Sequence, residues 1–315
     1  MHILSYSAAR EAAVRLAAAE ERAAGDPVAC RHPWGGGQRM ASSESWYEGS
    51  GGERLFVRTW RPAGAPRAAV IFLHGLGDHS GLHPTVSEAL VPLGVAVTAP
   101  DLRGNGRSPG RRGHVNAWEQ FREDLRRLVA RARATAPETP LFLAGFSLGG
   151  LVVLDYALHH PDGVRGVIAL APPLGEFGVP RVLLALGRVV SRVWPAFSLR
   201  TGMDLSGLSR DPQAVRDVRA DPLFHRLGSA RLSTEVTETI AELQRDAPRF
   251  PVPVLVLHGG ADRMVSPEGS RRFVGRVRQA DKRLIEYADA YHALLADLDR
   301  ERVLADLCEW IINRS

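Results

Sequence analysis

Residues 141–150 read LFLAGFSLGG. An apolar run ends in Gly145, Phe146, Ser147, Leu148 and Gly149, a G-x-S-x-G pattern at the predicted junction of a strand and a helix. A serine on such a corner takes a strained backbone conformation that projects its hydroxyl from the turn. The residues two before and two after it approach closely, so both must be small. The chemistry served by this arrangement is nucleophilic attack on a carbonyl. The alternative is a tight turn with a spare hydroxyl, and residues far along the chain decide between the two.

A serine hydroxyl needs a base to take its proton and a carboxylate to orient that base. With the nucleophile on a strand–helix corner, the expected chain order is Ser, acid, His. Five histidines follow Ser147: His159, His160, His225, His258 and His292. His159 and His160 close a helix before Pro161 and read as surface residues. His225 falls in an irregular insertion. His258 lies within the strand VLVLHGG and reads as a satisfied core or sheet-end histidine. His292 sits in ADAYHALL, after the strand KRLIEYA and before the last helix, where a base belongs at the carboxyl end of a sheet. The acid should follow the preceding strand, and PVLVLHGGADRMVSPEGS places Asp262 there. Its competing role is a turn residue ahead of the helix near Pro267, but Ser266 suits that cap better. Asp289, three residues before His292, is a weaker rival.

An oxyanion intermediate needs preorganised N–H donors. One is the amide of Leu148, at a helix N-terminus that favours negative charge. The other is expected from the loop His74-Gly75-Leu76-Gly77-Asp78-His79-Ser80, where Gly75 permits the turn and Leu76 presents its N–H. His74 precedes the nucleophile and reads as a loop brace.

These residues require a particular scaffold. Apolar runs at 54–60, 68–74, 95–100, 140–146, 164–171, 253–259 and 282–288 alternate with helical patterns at 84–93, 117–135, 148–159, 267–279 and 299–313. The middle runs are apolar on both faces, as in a buried parallel sheet. Strand alternating with helix predicts an α/β doubly wound sheet. The alternation breaks between about 173 and 250, a stretch too long for a loop in a compact domain. It reads as a helical cap of helix-like segments without strands. The expected division is an N-terminal extension at 1–45, a core at 46–171 and 251–315, and a cap at 172–250. Met40 is the expected natural start, with the alanine-rich residues before it dispensable.

Within the cap, VPRVLLALGRVVSRVW (179–194) starts a helix at Pro180, with Arg181, Arg188 and Arg192 on one face. Two readings stay open: a helix packed on its own domain with a solvated arginine stripe, or a lid that touches a lipid surface or lines an acyl pocket.

The composition, 45% hydrophobic and 24% charged, is that of a globular chain with ample length for a core. The net charge is +5, but its arginines are scattered among acids and Lys282 is the sole lysine. No basic patch with interleaved aromatics appears, so no nucleic-acid partner is expected. Two cysteines, Cys30 and Cys308, are too few for a disulfide framework and suggest a reducing compartment. No apolar run approaches the roughly 20 residues needed to span a bilayer. Arg10, Glu11 and Arg15 interrupt any signal-peptide core. A cytoplasmic protein, peripheral to membranes at most, is the expectation.

Taken together, the motifs resemble the monoacylglycerol lipase and lysophospholipase group of α/β-hydrolases. HGLGDHSGLHPTV resembles that group's oxyanion loop, and DLRGNGRSPGRRGHV (101–115) its D-x-R-G-H-G-x-S-x-G-x-R-G block. GFSLGG, LSRDPQAV, DPLFH and VLHGGADRMVSPEGS follow in the same order. The resemblance covers about residues 45–313. It implies Ser147, Asp262 and His292 as a catalytic triad, Leu76 and Leu148 as oxyanion donors, and a cap that shapes an acyl pocket. It implies no cofactor or metal. Asn105 stands where many relatives have histidine, and Ala293 where a glutamate often follows the catalytic histidine. The expected function is cleavage of a carboxylic ester of an acyl chain, a monoacylglycerol or lysophospholipid, through an acyl-enzyme on Ser147. A general carboxylesterase, an acyltransferase and a non-catalytic ligand-binding protein of the same fold are the alternatives.

Overall fold

The computed structural model describes residues 42–175, 181–202 and 204–315. The alanine-rich N-terminal segment, Cys30 and the expected start at Met40 lie outside the described residues. In chain order the elements are β1 (Ser43–Glu48), β2 (Arg54–Trp60), β3 (Ala68–Leu73), α1 (Pro84–Leu90), β4 (Val95–Pro100), α2 (Glu119–Thr135), β5 (Leu141–Phe146), α3 (Leu148–His159) and β6 (Gly166–Leu170). There follow α4 (Arg181–Val193), β7 (Ser198–Arg200), α5 (Pro212–Ala220), β8 (Leu227–Ser229), α6 (Ala230–Asp246), β9 (Val254–Gly259), α7 (Pro267–Arg276), β10 (Lys282–Tyr287) and α8 (Arg300–Ile312).

Eight strands form one sheet in the order β1-β2-β4-β3-β5-β6-β9-β10. From β4 to β10 every pairing is parallel, while β2 runs antiparallel to both β1 and β4. Successive residues of the central strands face opposite sides. Ile71, Leu73, Leu141, Leu143, Val167 and Val256 enter one core, while Val70, Phe72, Phe142, Ala144, Ile168 and Leu257 enter the other. The first core is closed by α2, α3, α6 and α7, and the second by α1 and α8. Helices on both faces explain why these strands read as unbroken apolar runs. Helix α3 lies directly on the sheet, and Leu148 to Ala157 are all buried.

Chain order reverses between β3 and β5, which are neighbours with β4 and β6 outside them. At such a switch point the loops leaving adjacent strands diverge and open a crevice at the carboxyl ends. The loop after β3 and the corner after β5 both lie there.

Two features differ from the expected elements. β1 was absent from the strand pattern, and the boundary at residue 45 falls inside it. It is an antiparallel edge strand with only Tyr47 buried, so it lacks the apolar run that marks the buried strands. The insertion between β6 and β9 also contains strands, β7 and β8, paired antiparallel through Ser198–Ser229, Leu199–Gly228 and Arg200–Leu227. Three-residue strands carry no readable alternation. Two of the insertion's helices, α5 and α6, begin as their sequences dictate. The Asp211 side chain accepts from Gln213 N with Pro212 at the first turn, and Ser229 accepts from Leu232 N. Helix α4 packs on α6, and α6 packs on α3 and α7. Among the described residues no helix is long and apolar enough to cross a membrane.

Trp310 of α8 is 3% exposed and meets Phe142 of β5 edge-on at 5.8 Å between ring centroids. Gly166 makes room for it: a Cβ there would lie 2.5 Å from the indole. Trp310→Ala is expected to lower the unfolding free energy by about 3–5 kcal/mol, read from urea denaturation of the two proteins.

Candidate active site

Ser147 has φ 50° and ψ −116°, one of two non-glycine positive-φ residues among those described. Its amide donates to Leu170 O of β6 at 2.8 Å, which ties the corner to the neighbouring strand. A Cβ on Gly145 would lie 2.3 Å from the Gly149 carbonyl, and one on Gly149 would lie 2.3 Å from Leu73 O. Both glycines are therefore required by backbone contact.

The distant residues converge on this corner. His292 Nε2 is 3.0 Å from Ser147 Oγ, and His292 Nδ1 is 2.7 Å from Asp262 Oδ2. Asp262 Oδ1 accepts the amides of Met264 (2.8 Å) and Val265 (2.9 Å). Burial by itself would raise the Asp262 carboxyl. Hydrogen bonds from His258, His292 and the Val265 amide outweigh it and hold the group well below the usual carboxylate range. Asp262 thus serves as both a turn residue and the partner of His292, while Ser266 caps α7 through Glu268 N. Asp289 is exposed.

Leu76 and Leu148 line the same cavity as Ser147 and His292. Around Leu76 the loop amides are engaged one after another. Gly75 N donates to Asp78 Oδ2 (3.3 Å), Gly77 N to Asn105 Oδ1 (3.0 Å), His79 N to Asp78 Oδ1 (2.6 Å) and Ser80 N to Asp101 Oδ1 (2.8 Å). His74 braces the same loop, donating from Nδ1 to Gly75 O (2.7 Å) and accepting Leu102 N–H at Nε2 (2.8 Å). A loop held on both sides of Leu76 is preorganised to present that amide.

The 101–115 block supplies this brace, a role its sequence did not disclose. Arg103 makes a bidentate pair with buried Asp124 of α2 at 2.7 and 2.6 Å. Asn105 Oδ1 also takes Nε2–H of His225 at 3.0 Å, and His225 N donates to Gly77 O at 2.9 Å. His79 Nε2 faces Asp221 Oδ2 at 3.1 Å. The DPLFH segment of the insertion is thereby fastened to the loop after β3. Asn105 needs no histidine at its position because its amide bridges both partners.

Of the histidines after Ser147, His159 and His258 have structural partners. His159 contacts Asp155 O and Glu242, and the neighbouring Asp155 carboxylate is held by Arg122 and Trp118. The strand position of His258 predicts a satisfied core histidine. It is fully buried and bonded, but it also stands 3.3 Å from Asp262 Oδ2, a contact that spacing four residues apart along a strand and its turn does not reveal. Ala293 is buried, and its amide donates to Leu208 O at 2.7 Å.

A cavity of about 890 Å³ opens on Ser147 and His292. Val190, Phe197, Leu199, Leu232 and Val236 of the insertion form its apolar wall, with Arg188, Arg200 and Arg263 also on its lining. The volume and apolar walls suit an acyl chain. The side chains of Arg181, Val182, Leu183 and Leu186 lie outside the described residues. Of the expected arginine stripe, Arg188 is half-exposed and 3.8 Å from Glu238.

Residues 64–299 match the family described as serine aminopeptidase, S33. The chain is 32% identical over 276 residues to a monoacylglycerol lipase of Mycolicibacterium smegmatis, covering 86% of this chain and 97% of that one. It is similar to the crystal structure of the Paleococcus ferrophilus monoacylglycerol lipase, with TM-score 0.77, 36% identity, and coverage of 83% and 99%. A soluble variant of the Saccharomyces cerevisiae monoglyceride lipase, solved with a substrate analogue, has TM-score 0.81 over 91% of this chain and 99% of that one. At 24% identity that last likeness speaks for the fold, the α/β-hydrolase fold.

Asp78, like Asp262, is buried. Burial would raise its carboxyl, but His83 at 2.6 Å, with His74 and His79, outweighs it and lowers the group. Both carboxyls titrate lower in the folded chain than in the unfolded one, so the unfolded chain binds more protons in between and stability rises with pH there. Their contribution is complete above about pH 4, the unfolded-chain value, and is lost as pH falls through the folded values. Urea midpoints are expected to fall on acidification below about pH 4, and to fall less steeply in Asp78→Asn.

Proposed function

The chain belongs to the serine aminopeptidase S33 family of α/β-hydrolases and is a serine ester hydrolase, and from that premise we propose that it cleaves monoacylglycerols through an acyl-enzyme on Ser147. The observation that carries this reading is the Ser147–His292–Asp262 line at 3.0 and 2.7 Å, opening into an apolar cavity of about 890 Å³.

In this reading the acyl chain lies against the apolar wall from the insertion, which acts as a cap over residues 172–250. The ester carbonyl rests beside Ser147. His292 Nε2 takes the serine proton as Oγ attacks, and Asp262 stabilises the imidazolium through Nδ1. The amides of Leu76 and Leu148 receive the oxyanion, the second aided by the N-terminus of α3. His292 returns the proton to the leaving glycerol oxygen. Water, activated by the same base, then releases the fatty acid and restores Ser147. No step calls for a metal or cofactor.

The substrate is supported by the relatives named for monoacylglycerol and by the apolar lining. A transient contact of the cap with a lipid surface is part of the same proposal. Val189, Val193, Trp194 and Leu199 are 54%, 80%, 62% and 61% exposed. Leu199 also lines the cavity, so exposed apolar surface continues into its wall. Apolar side chains beside arginines suit the boundary between headgroups and acyl chains.

A panel of long-chain monoacylglycerols, lysophospholipids, short-chain esters and an aminoacyl amide tests the reading. Long-chain monoacylglycerols are expected to turn over fastest. Ser147→Ala is expected to lower kcat by at least about 10⁴-fold. Turnover of the amide alone would overturn the lipid-ester assignment. With a competing alcohol present, free fatty acid is expected as the main product.

A further inference from the structure

His258 is the second-last residue of β9 and is wholly buried. The proposed reaction gives it no part, yet it touches the carboxylate on which that reaction depends. Its Nδ1 is 2.8 Å from Ser270 Oγ of α7. Its Nε2 is 3.1 Å from Val265 O and 3.3 Å from Asp262 Oδ2. On β10, Glu286 stands in register with His258 and is engaged by Arg271 at 2.5 Å. The ionisable groups around the ring are therefore Asp262 from the loop, Glu286 from β10, and His292 through Asp262.

The partners fix the proton. A backbone carbonyl can only accept, so Nε2 must carry hydrogen to face Val265 O. That hydrogen is directed to Val265 O, and Asp262 Oδ2 lies 3.3 Å from the same nitrogen. The Ser270 hydroxyl can donate, so Nδ1 has a matching partner in this tautomer. The opposite tautomer would set a lone pair of Nε2 against both oxygens. One line of polar groups results: Ser270, His258, Asp262, His292, Ser147.

We propose that His258 is a positioning residue for Asp262, its Nε2–H fixing the same oxygen that receives His292. The two amides of Met264 and Val265 hold Oδ1. A carboxylate pinned at one oxygen still swings at the other, and the other is the one that must face His292 Nδ1. His258 closes that freedom and satisfies the second lone pair of a buried anion. It also draws charge from Oδ2, so the proton shared with His292 stays on the imidazole.

The proposal rests on the triad reading, and its test separates the two. His258→Leu removes the donor at similar volume, whereas His258→Gln keeps an amide N–H. In His258→Leu, kcat is expected to fall about 10- to 100-fold, by analogy with the loss seen when outer hydrogen-bond partners of metal-ligating residues are removed. KM should hold within about twofold, as expected when an interaction made only in the transition state is lost. The acid limb of kcat/KM should move to higher pH, because an Oδ2 relieved of a donor stabilises the His292 imidazolium more. His258→Gln should recover most of kcat and restore the limb. A folded His258→Leu with wild-type kcat and limb overturns the proposal, as does equal loss in both variants with an unmoved limb. Should His258→Leu fail to fold, nitrogen-15 NMR of the wild-type histidines decides: an Nε2–H tautomer at His258 supports the proposal and an Nδ1–H tautomer overturns it. Ser147→Ala is the control. If it stays active the triad reading falls, and if it is dead while both His258 variants behave as wild type, only the His258 proposal falls.

Discussion

Ser147 is held at φ 50°, ψ −116°, a conformation that costs a non-glycine residue on the order of 1–3 kcal/mol and persists only where its surroundings dictate it. The surroundings here are backbone against backbone. Gly149 of α3 lies against Leu73 O at the end of β3, and Gly145 of β5 lies against Gly149 itself. The Ser147 amide is tied to β6. Three adjacent strands and one buried helix thus determine a single corner. Because α3 can approach the sheet only where side chains are missing, the position of the serine hydroxyl and the position of α3 are one constraint.

That close approach also orders the neighbouring loop. The end of β3, pressed against Gly149, leads directly into residues 74–80. Their amides would be orphaned in a buried turn, and buried amides are rarely left so. Asp78, Asn105 and Asp101 accept from them. These acceptors are polar groups deep in the fold, and the two carboxylates are stabilised in turn, Asp78 by His83 and Asp101 by the Arg107 amide. The 101–115 block is thereby a scaffold for the loop. Its charged residues act on structure, and the Arg103–Asp124 pair secures the block against α2.

The insertion has a double attachment that follows from the same logic. Its α6 packs on α3, and its DPLFH segment is fastened to the loop after β3 through His225 and Asp221. The wall of the cavity is therefore referenced to both sides of the proposed oxyanion site. Val189, Val193, Trp194 and Leu199, in and just after α4 and in β7, carry exposed apolar side chains, while Val190 and Leu199 also line the cavity.

Much of this was legible in the sequence. The doubly wound sheet follows from apolar runs alternating with helical patterns, because strands covered on both faces must be apolar throughout. Ser147 was readable because the strain of its corner demands Gly145 and Gly149, a local requirement that leaves a local signature. Asp262 and His292 were readable from chain order and from their places just beyond strands. Edge strand β1 and the three-residue pair β7–β8 were not, because neither buries enough apolar surface to leave a pattern. Nor were the contacts of Asn105 with His225, of His79 with Asp221, and of His258 with Asp262. A contact between polar side chains is a relation between positions in space, and residue type and spacing record it only when one element carries both partners. Sequence determined which groups were available and on which strand ends they stand. Only the packing of α3 against the sheet and of the insertion against the loop after β3 decided which of them meet.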